Sequence, residues 1–256
     1  MLQAVLFDLG DTLLDFEPVN ARAVMNMGAR TTYDYLHSLG LVLPPYRRYA
    51  RHQLRCARWD YLVARLQRRE FNSLTTLARI SEALGLRLGH DKLLELAWRW
   101  YAPIVALAKL DAHAIATLEQ LHRWGLKVAL VSNTFVPAAV HDRHLEMLGL
   151  LSLLPVRVYS SEFGYRKPDR RIFQYALDQV GVKPDRAMFV GNLVKPDIVG
   201  PRRLGMTTVL KQPVSTSSSH PLAHWVISCM AELPALVGRL RHVTDGVMTP
   251  MSLQTS

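Results

Sequence analysis

The chain has 256 residues and a mass of 29.0 kDa, enough for one full hydrophobic core plus a smaller satellite unit. Its 49% hydrophobic and 20% charged residues exclude a disordered chain, and no apolar run approaches the roughly 20 residues of a membrane-spanning helix. Arginine supplies most of the net charge of +10; with no nucleic-acid motif beside it, the charge reads as a solvated basic surface, not a nucleic-acid interface.

The opening MLQAVLFDLGDTLL has no basic leader and carries two aspartates inside its apolar stretch, so it does not read as a signal peptide. The run from Ala4 to Phe7 is short, rich in β-formers and stops at Asp8-Leu9-Gly10-Asp11, which predicts a buried strand and a tight turn. From about Val19 to Leu107 the periodicity is helical, over Val19 to Leu39, Tyr46 to Leu66, Leu74 to Leu84 and Leu93 to Leu107. An all-helical bundle inserted after the first strand is the economical interpretation. Beyond it, apolar runs at Val128 to Val131, Val156 to Tyr159, Met188 to Val190, Thr207 to Leu210 and Trp225 to Ile227 predict further strands. Amphipathic stretches alternate with them: Ile115 to Trp124, Ala138 to Leu148, Ile172 to Val180 and Ile198 to Leu204, each closed by a glycine.

That alternation predicts an α/β fold, a Rossmann-like doubly wound parallel sheet in three α/β/α layers, with the helical bundle as an inserted cap. The expected division is a core over 1–16 and 108–243, a cap over 17–107 and a flexible tail over 244–256. The serine-rich stretch from Gln212 to His220 is expected to be an exposed loop. Two cysteines, Cys56 and Cys229, give no disulfide framework, in keeping with a cytoplasmic location. Nothing in the sequence indicates an oligomeric state.

Open parallel sheets bind ligands beyond the carboxyl ends of their strands, so the residues that follow each apolar run are the candidates. Four such ends carry chemistry: Asp8 with Gly10, Asp11 and Thr12; Ser132 with Asn133; Lys167 with Pro168 and Asp169; and Asn192 with Asp197. A carboxylate, a hydroxyl, an ammonium and a second carboxylate together suit phosphoryl transfer. Asp8 would attack phosphorus, Ser132 and Lys167 would hold phosphoryl oxygens, and Asp197 would help to hold a hard divalent cation. Singly, each has an ordinary structural reading as a turn residue, a helix-terminal acid or a solvated charge.

The segments FDLGDTL around Asp8, VSNT around Ser132, SSEFGYRKPDRRIF around Lys167 and VGNLVKPDIVGPRRLGM around Asp197 resemble, in order, the four motifs of the haloacid dehalogenase-like hydrolases. The resemblance spans nearly the whole predicted sheet, and WVISCMAELPALV is similar to the family's last strand and helix. It implies a helical cap, magnesium (Mg2+) as cofactor and a small phosphorylated molecule as substrate. By the same match Asp8 is the nucleophile, Ser132 and Asn133 bind the transferring group, and Lys167 neutralises charge at the nucleophile. Asp8, the backbone carbonyl of Gly10, Asn192 and Asp197 are the implied metal ligands.

Two positions depart from the pattern. Most phosphatases of the family carry a second aspartate two residues after the nucleophile, acting as general acid and base; here that place is Gly10. Asp11 is adjacent, but one step along an extended segment points a side chain to the other face, and only a distorted turn would bring it round. Asn192 stands where an acid is usual, leaving an amide oxygen that can ligate without adding charge. A missing acid directs the expected phosphatase to leaving groups that need no proton, such as aryl or acyl phosphates. The alternatives are a dehalogenase and a catalytically silent binding protein. Phosphonate cleavage through a cap Schiff base is disfavoured because no lysine precedes Lys92. Arg47, Arg51, Arg55 and Arg58 share one face of a predicted helix, either as a solvated face or as a site for a second anionic group. Trp98 and Trp100 read as core.

Overall fold

The computed structural model describes residues 1–16, 20–67, 69–213 and 219–244. Most of the tail expected over 244–256 and the centre of the serine-rich loop, 214–218, lie outside them. Six parallel strands form the main sheet: β1 (Ala4–Phe7), β4 (Lys127–Ser132), β5 (Val156–Tyr159), β6 (Ala187–Gly191), β7 (Thr207–Lys211) and β8 (Trp225–Ile227), in the order β5-β4-β1-β6-β7-β8. Each agrees with its apolar run to within one residue at either end. β1 is central, with Phe7 level with Leu130 of β4 and Val190 of β6.

Period-2 alternation sorts β1 between two buried layers. Val5 and Phe7 pack with α5 (Ala114–Arg123), α6 (Ala138–Met147) and α10 (Glu232–Thr244) through Leu118, Leu145 and Leu236. Ala4 and Leu6 pack on the other face with Ile172, Phe173 and Leu177 of α8 (Arg170–Val180). The next residue on that second face is Asp8, which therefore emerges on the side from which the segment preceding α8 approaches.

The sequence predicts a regular helix from Ile198 to Leu204, and the structure departs from it. A π-helical turn, Val194–Val199, runs into the short α9 (Gly200–Arg202). Pro196 and Pro201 lack the N–H groups that a regular ladder requires. Gly200 is needed there because a Cβ would lie 2.6 Å from Phe173 Cε2 and 3.0 Å from the Pro168 carbonyl oxygen.

The inserted helices are α1 (Ala21–Ser38), α2 (Tyr46–Gln67), α3 (Ser73–Ala83) and α4 (His90–Leu107), packed around Leu36, Tyr49, Leu77, Ile80 and Leu96. Where the chain enters and leaves this bundle, β2 (Leu14–Phe16) pairs antiparallel with β3 (Ala108–Leu110). Three-residue strands are too short to show a period in the sequence, and this pair was not predicted. Lys211 Nζ ties the junction by donating to the Thr12 carbonyl, Asp15 and Asp111 at 2.8–3.0 Å. No described helix is long and apolar enough to cross a membrane.

The bundle rests on α6 through a buried aromatic cluster. Tyr101 of α4 packs edge-on to His141 and His144, and its hydroxyl lies 3.1 Å from His144 Nδ1. Burial pushes the His141 pKa down to about 3, helped by His144 and opposed by Asp142; burial lowers His144 as well. The unfolded chain thus binds protons that the folded one refuses, so stability is lost as pH falls below about 6.5, the ordinary histidine value. Lowering pH from about 7 to about 5 should cost on the order of 2 kcal/mol through His141 alone. Urea midpoints at the two pH values measure it, and H141Q should flatten the dependence; an equal slope in both proteins would assign the acid sensitivity elsewhere.

Candidate active site

The four motif residues converge at the carboxyl edge of the sheet. Asp8 follows β1, and its backbone N–H donates to Val190 O at 2.9 Å, extending the β1–β6 ladder. Lys167 is 4% exposed, and its Nζ lies 2.6 Å from Asp8 Oδ1 and 2.8 Å from Asp197 Oδ1. Asp197 is fully buried within the π-helical turn, where its Oδ2 accepts from Leu193 N–H at 2.9 Å. Gly191, at the end of β6, admits that carboxylate: a Cβ there would stand 2.4 Å from Asp197 Cβ.

Two carboxylates around one ammonium leave the group formally negative and desolvated. Burial pushes Asp8 up to about 6; Lys167 opposes the shift and the Asp197 charge adds to it. Burial pulls Lys167 down, but Asp8 and Asp197 outweigh it and hold the ammonium above its ordinary pKa. Phe189 presents its ring 5.3 Å from the same nitrogen.

Ser132, which ends β4, is 5% exposed and lines a cavity that Gly10 and Asn133 also border. The Asn133 side chain is committed to another task. Its Oδ1 accepts from Lys167 N–H at 2.7 Å and its Nδ2 donates to Lys167 O at 3.1 Å, so the amide fixes the backbone that carries the lysine. Asn192 follows Gly191, and its Oδ1 is buried without a hydrogen-bond partner among the described residues. An orphaned amide oxygen at the end of β6, five residues before the buried Asp197, is a donor that suits a hard divalent cation. Among the described residues no three His, Cys, Asp or Glu side chains cluster for a metal, so backbone and amide oxygens would have to complete the shell.

Gly10 carries no side chain toward the site, and the reason is not steric: a Cβ built on it would meet only Phe16, at 3.5 Å. Asp11 does occupy a distorted turn, with φ 52°, but the turn carries its carboxylate away. Its Oδ1 accepts from Phe16 N–H at 3.0 Å. The distorted turn needed to rescue a general acid therefore pins β2 instead.

The cavity measures about 790 Å³ and lies between the sheet edge and the helical bundle. Several of its residues were not singled out from the sequence. Glu70, between α2 and α3, accepts from Ser160 Oγ at 2.9 Å and pairs with Arg166 Nε at 3.2 Å. Burial raises its pKa against the opposing pull of Arg166 and Ser160. Its backbone N–H donates to Gly164 O, and the neighbouring Phe71 stacks on Phe135 with centroids 5.2 Å apart. The break in helical period around Arg69–Asn72 was the available signal for a docking loop. Of the arginine row on α2, Arg58 lines this cavity; Arg51 and Arg55 line a separate groove with Arg48 and His52.

The chain belongs to the haloacid dehalogenase-like hydrolases, whose family model matches residues 2–205. It is therefore a hydrolase, with the family's fold. Among curated relatives it is 28% identical to a glyceraldehyde 3-phosphate phosphatase of Methanothermobacter thermautotrophicus, over 82% of this chain and 85% of that one. Among solved structures it is similar to an HAD phosphatase from Thermococcus onnurineus, at 24% identity and TM-score 0.57 over 93% of this chain and 98% of that one. It is also similar to a 2-haloacid dehalogenase from Pseudomonas syringae pv. Tomato DC3000, at 22% identity and TM-score 0.62, covering 94% and 100%. These two structural likenesses speak for the fold.

Proposed function

We propose that this hydrolase is a phosphatase of a small phosphorylated molecule, working through an aspartyl-phosphate at Asp8, with residues 17–107 as its cap. The observation that carries the reading is Lys167 held 2.6 Å from Asp8 and 2.8 Å from Asp197 at the edge of a cavity that Ser132 lines. One Asp8 oxygen attacks phosphorus as the bond from phosphorus to the leaving oxygen breaks. Lys167 and Ser132 hold the phosphoryl oxygens, and Asn133 holds Lys167. Asp8, the Gly10 carbonyl, Asn192 and Asp197 would hold magnesium, which supplies positive charge to the phosphoryl oxygens when bound. Water then attacks the phosphorus as the bond from phosphorus to the Asp8 oxygen breaks, so the Asp8 carboxylate is regenerated and the protons of water leave with inorganic phosphate.

With no side chain at Gly10 to protonate a departing oxygen, the first step favours groups that leave as stable anions, phenolates or carboxylates. The test is incubation with magnesium and 4-nitrophenyl phosphate, acid quenching and peptide mass analysis. Phosphate on the peptide containing Asp8, lost in D8N, is the expected result; phosphate release without labelling at Asp8 overturns the mechanism.

A second reading is displacement of halide from a haloacid by Asp8. The apolar character of the cavity favours it, and the same trap run with 2-chloropropionate in place of the phosphate ester decides it: Asp8 would displace chloride and the peptide would carry the propionate as an ester.

A further inference from the structure

Most of the cavity wall is apolar or aromatic, with Phe16, Leu54, Phe71, Trp100, Ile104 and Phe135 above the floor made by Gly10 and Ser132. Arg22, Arg58 and Tyr61 on this wall are exposed and His141 Nδ1 is buried without a partner among the described residues, while most of the other polar side chains are already engaged. Thr134 Oγ1 is hydrogen-bonded to His141 Nε2 at 2.7 Å and accepts from Val136 N–H at 3.0 Å. Tyr101 engages His144, and Glu70 engages Arg166 and Ser160. A polyol placed here would bury hydroxyls with few groups left to satisfy them, at a cost of about 1–3 kcal/mol for each unpaired one. An apolar ring would replace water against carbon at no such cost. A volume of about 790 Å³ also far exceeds what a three-carbon phosphate fills and falls in the usual range of sites for larger organic ligands.

We propose that the cavity holds the organic part of the substrate and that this part is aromatic, making the substrate class an aryl phosphate monoester, not a sugar phosphate. The proposal rests on the phosphatase reading and narrows it. Two independent features agree on it: the wall selects an apolar body, and Gly10 selects a leaving group that departs unprotonated, which a phenolate does and a sugar alkoxide does not. Arg22 and Arg58, exposed residues of the wall with no ion pair among the described residues, give the entrance a positive field for the incoming phosphate dianion.

Two measurements test it. With magnesium, kcat and KM are determined for phenyl phosphate, 2-naphthyl phosphate and D-glyceraldehyde 3-phosphate. The two phenols are similar leaving groups, so the added ring reports burial alone; KM should fall about tenfold from phenyl to naphthyl, and the sugar phosphate should be the poorest of the three. Equal KM for the two aryl esters, or preference for the sugar phosphate, overturns the proposal. Calorimetric Kd values for methylphosphonate, phenylphosphonate and 2-naphthylphosphonate give the same comparison without turnover. The ratio of naphthyl to methyl affinity should fall about tenfold in L54W, which fills the wall; a ratio near one in the wild type sinks the proposal. If no ester releases phosphate and Asp8 is never labelled, the phosphatase reading fails, while the phosphonate series still decides what the cavity binds.

Discussion

Gly10→Asp is expected to raise turnover of alkyl phosphates by about 10²–10⁴-fold, the usual worth of a positioned general acid–base, while changing aryl phosphates far less. The backbone accepts a side chain: a Cβ at Gly10 meets Phe16 Cε2 at 3.5 Å, an ordinary contact, and Gly10 is not among the glycines with positive φ. It also has a task that no present group performs. Asp11 is bonded to the Phe16 N–H, and Lys167 is held between two carboxylates. An alkoxide must be protonated as it leaves, whereas a 4-nitrophenolate need not be, so the gain should scale with the basicity of the leaving group. The measurement is kcat for D-glyceraldehyde 3-phosphate and for 4-nitrophenyl phosphate in both proteins. A correctly folded variant with no gain on the alkyl ester would show that proton delivery does not limit the parent. Activity in the variant beside complete silence in the parent would make the natural chain a binding protein.

Asp8, Ser132, Lys167 and Asp197 were legible because each lies next to a short apolar run or within a compact motif, and a parallel sheet brings such ends to one edge whatever the intervening chain does. Asn133 was legible as a site residue, but its bonds to Lys167, 34 residues on, have no local signature; it was expected to hold phosphate, and its side chain holds backbone. The stretch from Ile198 to Leu204 was read as regular helix, and the π-helical turn over Val194–Val199 was missed, because an apolar spacing does not report which N–H groups Pro196 and Pro201 lack. Least legible was the cavity wall. Phe71 meets Phe135 across more than sixty residues, and Trp100, read as core, is buried and still borders the cavity. Periodicity identifies which face of a helix is apolar, but it does not separate the part packed against protein from the part that faces an empty volume.

Lys167→Met should be the most damaging single substitution at the site, in stability as well as activity. The side chain is 2% exposed, between Asp8 at 11% and Asp197 at 1%. Methionine fills similar space but removes the charge, leaving two carboxylates facing each other in a desolvated floor. Breaking a buried ion pair from one side costs about 3–5 kcal/mol, because the remaining charge is uncompensated. Asp8 is already pushed up to about 6 with the ammonium in place; without it the carboxyl holds its proton still more firmly. The protein can escape the penalty by protonating Asp8, and a protonated Asp8 is no nucleophile, so the stability that is recovered is recovered at the expense of the covalent step. Urea denaturation at neutral pH measures the first effect and labelling of Asp8 by 4-nitrophenyl phosphate the second. Adding Asp197→Asn to the variant should restore part of the lost stability, since one of the two opposed charges is gone, yet should restore no labelling. If K167M instead unfolds within about 1 kcal/mol of the wild type, the worth of an exposed pair, the triad of Asp8, Lys167 and Asp197 is not the desolvated charge cluster on which this mechanism depends.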